Sequence, residues 1–410
     1  MKTRIPLPGP ILVFLLAALL VCGTVAAEPA IVANGADSQE GRETAELTEL
    51  WRIGGEDDEI FFGSVASIKT DDQGNILLLD SQLSEVQVFS PEGEFLRTVS
   101  GEGDGPGEVR QPGDMFIMAD GTICLLQGFP GRIVMLNPDG TPAGMANYSK
   151  SDGSGGQFAV LNRGFGLPDG ILLVGIRMSF SGTGTTNQTY FLSRCSKEGV
   201  EEAALVEKEN IVNYADFELT EKNIDFVWSR TAVGPEGNIH VAPQRNKYEI
   251  EVFSPAGEKI RTITRQYEQA PRNSQEKKTA YKIIEAVSAY YPTPPKRIGT
   301  EETAAAIAGI WVTADGRIWV QPGNADKSLP EGSWLVLDVF TPDGKFEKQV
   351  TLPGKFNAQQ DGLFVQPDGV IFVVVGALEA FLNQQAVSSK DDGDETEAQP
   401  LEVICYRLET

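Results

Sequence analysis

The sequence predicts an all-β chain, a six-bladed β-propeller of four-stranded antiparallel blades. Three observations carry this: a six-fold recurring hairpin, a second hairpin nested after most copies, and an unpaired strand-like segment near the start. The recurring unit is an apolar run, a turn ending in Gly, and a second apolar run. It occurs at 68–80, 116–126, 165–175, 231–242, 311–320 and 363–375. Gln73, Asp120, Asp169, Glu236, Asp315 and Asp368 each precede the turn glycine. Glycine supplies the positive φ of a tight turn, and β-branched and aromatic flanks favour strands. Second hairpins read VQVFSPEGEFL, IVMLNPDGTPA, FLSRCSKEGVEEA, IEVFSPAGEKI and LDVFTPDGKFE. Two linked hairpins make a four-stranded meander, and six such units in series close into a ring.

The sixth unit ends at LEVICYRLET with no second hairpin, whereas ELTELWRIGG (46–55) belongs to no unit. The economical closure sets that N-terminal strand beside Leu401 to Leu408, which hides two sheet edges and completes the last blade. The expected organisation is an export signal over 1–27, a disordered mature N-terminus over 28–44, and one propeller over 45–410. The signal is read from Lys2 and Arg4, the apolar run Ile11 to Val21, and the small residues before Glu28. Eleven apolar residues fall well short of the ~20 that span a bilayer. Val21 stands where a lipidation signal requires a small residue, so Cys22 is not expected to carry lipid. The protein is expected to be exported, periplasmic or extracellular, without membrane insertion.

Composition narrows the function. Among 410 residues, Asp plus Glu outnumber Lys plus Arg by 58 to 34, a net charge of −24. That field opposes phosphate backbones and argues against nucleic acid as a partner. Cys124, Cys195 and Cys405 permit at most one disulfide, and spacing does not say whether it forms. His240 is the only histidine, which excludes a multi-histidine zinc site, and no G-x-S-x-G elbow accompanies it. No catalytic or metal-ligating residues are assigned. The run Asp391 to Glu395 reads as a solvated acidic loop rather than a calcium loop.

The linker GEGDGPGEVRQP (101–112) and the segment DSQLSEVQVFSPEGE (80–94) resemble those of NHL-type six-bladed propellers. The resemblance implies the propeller fold and nothing about chemistry, because propellers host many functions.

Insertions point to a working face. In a blade with strands A to D, the A–B and C–D turns lie on one rim, and here these stay short. The additions fall in the other connections: 179–189 in blade three, 321–333 in blade five, 376–400 in blade six, and Gln266 to Ala308 between blades four and five. The last contains a predicted helix over 273–291, stopped by Pro292, Pro294 and Pro295. Loops on a rigid scaffold carry function. Ser67, Arg110, Asp114, Arg163, Asp225 and Arg230 are the candidate ligand-binding residues at the channel mouth, with Trp228, Tyr290, Tyr291 and Trp334 near the same rim. The preferred expectation is a non-catalytic monomer that binds a peptide, glycan or protein partner on this face without a cofactor. The alternative is a calcium-dependent hydrolase or lyase of lactonase type acting in the channel.

Overall fold

A computed structural model describes residues 28–410 except 57, 151–157, 181, 183, 388–399 and 410. The expected export signal and the acidic run at 391–395 lie outside the described residues. Six antiparallel blades follow one another, with inner strands Val65–Thr70, Pro112–Ile117, Ala159–Leu167, Thr231–Val233, Ile307–Val312 and Gly362–Val365. In the last blade, Glu46–Gly54 pairs with Glu402–Glu409 as the outermost strand, from Glu46↔Glu409 to Gly54↔Glu402. Trp51 of this strand donates from Nε1 to the Pro91 carbonyl at 3.0 Å, tying blade six to blade one.

The turn chemistry read from sequence is what the backbone uses. Gly74, Gly121, Gly237, Gly316 and Gly369 have φ between +80° and +84°. Gly170 has a different reason to be glycine. Its hairpin is tighter, and a Cβ there would sit 2.5 Å from the Cys195 carbonyl oxygen of the neighbouring strand.

Among the described residues, six apolar clusters sit between consecutive blades. The one between blades six and one joins Trp51, Ile53, Phe372 and Val403 to Ile68, Ile76 and Phe89, so the ring is closed by packing as well as by pairing. A seventh cluster, of Val212, Phe217, Leu219 and Ile284, lies under the rim insertions.

Residues 28–44, expected to be disordered, instead carry two short strands. Ala30–Asn34 pairs in parallel with blade four's outer strand, Lys259–Arg265, from Ala30↔Arg261 to Asn34↔Arg265. Arg42–Thr44 pairs in parallel with blade five, from Arg42↔Gln349 to Thr44↔Thr351. The physical reason is the open edge of each outer strand, whose unpaired N–H and C=O groups accept a β-prone segment such as AIVAN. The Asn34 amide bridges the two blades, donating to Thr264 and Gly344 carbonyls at 3.0 Å and accepting from Phe346 N at 2.8 Å. The arm therefore straps blades four and five from outside before the chain enters blade six.

Two insertions differ in form from the loops that composition suggests. In blade three the connection is a lengthened hairpin, Gly170–Phe180 paired to Thr185–Cys195. In blade six, residues Ala377–Val387 form a helix. Ala, Leu, Glu and Gln dominate that segment and are strong helix formers.

Candidate binding face and channel

Register alignment of the six inner hairpins defines two rings around the axis. Ser67, Asp114, Arg163, Arg230, Gly309 and Gly362 occupy the same position, opposite Leu79, Leu126, Val174, Ala242, Gln321 and Val374 respectively. Four of the six residues singled out from sequence are thus equivalent by position. Their side chains nevertheless go to different places. Ser67 is buried and donates to the Met115 carbonyl at 3.3 Å. Asp114, also buried, accepts from Gly164 N at 3.1 Å and from Arg163 Nη1 at 3.4 Å. Arg163 is one-third exposed, and among the described residues its guanidinium bonds only to Asp114.

The second ring lies two residues further along each strand: Lys69, Phe116, Phe165, Ala232, Trp311 and Phe364. Five blades present an apolar group there and blade one presents a lysine. Burial lowers the Lys69 pKa; the nearby Asp114 carboxylate works against that shift and Arg163 adds to it. Sequence reasoning missed Lys69. The signal was present, because aligning IKTDDQG with the other five turns leaves one cation in an otherwise apolar column. Gly164 is glycine because the Phe116 ring fills its space, 2.5 Å from where a Cβ would stand.

Arg110 is not brought to the channel. Half exposed, it is taken by acids of its own linker, Asp104 at 3.0 Å and Glu102 at 3.2 Å. Asp225 and Arg230 form a separate pair at 2.9 Å under the rim insertion, where Arg230 also donates to the Phe226 carbonyl. Beside them Glu221 acts as a latch. It accepts from Arg245 at 2.7 Å, from both Nη atoms of Arg272 at 2.6 and 2.9 Å, and from Glu301 N at 2.9 Å. Burial alone would raise the Glu221 pKa, but these donors outweigh it and hold the carboxyl below its ordinary value.

The long helix is Ser274–Ser288, capped by Asn273 with a reciprocal bond from Glu276. Just beyond its C-terminal end, Tyr290 lies beside Gln385 of blade six, while Tyr291 lies beside Gln188 and Tyr190 of blade three. Blades three and six stand opposite each other in a ring of six, so this end of the helix bridges insertions that rise from opposing blades. Further contacts, Lys327 to Glu276 at 2.6 Å and Ser81 to Gln384 at 3.3 Å, tie the helical layer to blades five and one. Exposed on it are Ser274, Gln275, Lys278, Tyr281, Lys282 and Glu285, and Tyr290 beyond. Trp228 packs against Tyr190 and Phe226, and Trp334 is buried against Phe356.

His240 is buried in blade four, and its pKa is lowered by burial to about 4. Cys124, Cys195 and Cys405 are free and buried. Among the described residues no group of three or more His, Cys, Asp or Glu side chains is placed to hold a metal ion. Asp114 and Asp225 are each committed to an arginine in separate places, so this donor set does not fit a calcium centre built on them. No helix among the described residues is long and apolar enough to cross a membrane.

Residues 56–143 match the DUF5128 family, described as a 6-bladed beta-propeller. No curated protein matches the chain by sequence. Solved structures that resemble it include a member of the duf4221 family from Bacteroides vulgatus, at 11% identity over 90% of this chain and 99% of that one, with a TM-score of 0.49. Another is a gluconolactonase from Xanthomonas campestris, at 10% identity over 88% of this chain and 90% of that one, with a TM-score of 0.43. Blade count, strand order and the family match agree: the chain is a six-bladed β-propeller.

Proposed function

We propose that this propeller is an exported binding protein whose insertion-bearing face takes an acidic ligand, a peptide, a protein segment or a glycan. The observation that carries the reading is the helix bridging these insertions, which presents Lys278, Tyr281 and Lys282 at i, i+3 and i+4. Residues at that spacing share one helix face. Positive charge there stands out on a chain of net charge −24, and local charge steers encounter with an opposite partner. Tyr281 and Tyr290, 42% and 70% exposed, offer flat surfaces for stacking. Under this reading the ligand lies on the helical layer, and the channel group of Lys69, Asp114 and Arg163 serves the scaffold.

The test uses immobilised poly-glutamate and a sulfated polysaccharide as probes, in surface plasmon resonance at two salt concentrations. The expected result is salt-sensitive binding of at least one probe, weakened about tenfold by Lys278→Glu with Lys282→Glu. Equal binding by the double variant, or none to either probe, overturns it. The rival reading, a calcium-dependent hydrolase or lyase in the channel, requires acids other than Asp114 and Asp225, each of which is held by an arginine.

A further inference from the structure

A cavity of about 300 Å³ opens beside the N-terminal arm, where it passes from blade four to blade five. Such a volume lies at the small end of ligand pockets, which run ~300–1,000 Å³, and suits a single sugar-sized molecule. Three cations from three separate segments line it: Arg42 of the arm, Arg265 ending blade four, and Lys327 of the blade-five insertion.

Their partners leave them poised rather than consumed. Arg265 is held by Asp338 and by the Ala36 carbonyl at 3.0 Å, and it lies 4.3 Å over the Phe346 ring. Its Nε is buried with no hydrogen-bond partner. Gln349 donates to Asp338 at 2.8 Å, which turns its carbonyl oxygen toward Arg42. Arg42 donates to that oxygen from Nε and Nη2, at 3.2 and 2.9 Å, and to no carboxylate among the described residues. Its Nη1 is left for a ligand. Lys327 meets Glu276 and the Pro271 carbonyl, which leaves one ammonium proton.

The remaining lining selects the kind of anion. Among the described residues Asp37 is the one carboxylate facing the cavity, and it disfavours a compact multivalent anion while accepting from hydroxyl groups. Asn324 adds an amide, and Pro322 and Val336 add an apolar wall that suits the C–H face of a ring. We infer that the cavity binds a sugar acid of the hexuronate class, with the carboxylate on Arg42 and Lys327 and ring hydroxyls on Asp37 and Asn324. The inference is independent of the helical face. Because Ala36, Asp37 and Arg42 of the arm form one wall, binding also fastens the arm to the two blades.

The experiment is calorimetric titration of the mature chain with glucuronate and galacturonate, with glucose and inorganic phosphate as controls. At least one uronate is expected to bind about tenfold or more tightly than either control, and Arg42→Met to weaken it about tenfold. Hydrogen exchange over residues 30–44 is expected to slow with the uronate present. Lys278→Glu with Lys282→Glu is expected to leave this binding unchanged, which separates it from the helical-face reading. Absence of uronate binding, equal binding of glucose or phosphate, an unaffected Arg42→Met variant, or unchanged exchange in the arm overturns the inference.

Discussion

Removing the Glu221 carboxylate tests how the helical layer is held to the ring. Glu221→Ala leaves Arg245 and Arg272, whose side chains are 8% and 15% exposed, without their shared acceptor. Breaking a buried ion pair from one side costs about 3–5 kcal/mol. The site is not fully enclosed, since Glu221 is 17% exposed, and Arg245 keeps the Thr303 carbonyl at 2.6 Å. These reduce the expected loss to about 2–3 kcal/mol. With an unfolding entropy of about 2.1 cal/mol/K per residue, that loss lowers Tm by about 3 °C for a cooperative propeller of this size. Calorimetry near neutral pH reads the shift, and hydrogen exchange over 270–303 reads the local loosening.

The pH dependence has a definite sign. The folded pKa of Glu221 lies below its ordinary 4.5, so its contribution is full above that value and is lost as pH falls through the folded pKa. The gap between wild type and Glu221→Ala therefore narrows in acid. A variant with unchanged Tm and unchanged exchange, or a gap that widens on acidification, would refute the latch.

Three further outcomes follow from the channel and the blade cores. Gly164→Ala pushes a methyl group into the Phe116 ring and should cost about 1–3 kcal/mol in chemical denaturation, partly recovered by Phe116→Leu in the same chain. Lys69→Met should raise stability near neutral pH: the folded lysine has a lowered pKa, so wild-type stability climbs as pH rises toward the ordinary 10.5 while the variant's does not. A gap that fails to shrink in base counts against that account. His240, the chain's single histidine, gives one unambiguous imidazole signal in NMR, and it should stay neutral through pH 6.5 and begin to titrate only near about 4. Because the folded pKa is depressed, protein stability falls as pH drops from 6.5 toward 4.

Much of the fold was legible because its signals are local. A turn glycine with φ near +82° at Gly74 is demanded by a few neighbouring atoms, and six copies of the hairpin name the architecture. Ser67, Asp114, Arg163 and Arg230 could be placed at one register position for the same reason: hairpin periodicity fixes it. The candidate site was less legible. Arg110 looked equivalent until Glu102 and Asp104, folded back by their own linker, captured it. Lys69 was overlooked because one lysine in one strand becomes unusual only beside its five apolar counterparts.

Blade number, turn positions and the rim that receives the insertions could all be read from the order of residues. Each follows from backbone conformation and strand alternation over short stretches of chain. The assembled ring was needed to learn that residues 28–44 lie along blades four and five, that the long helix bridges the insertions of blades three and six, and that Arg42, Arg265 and Lys327 meet at one cavity. Those outcomes depend on which open edges, apolar faces and charges come together across hundreds of residues, and no short segment encodes such a meeting.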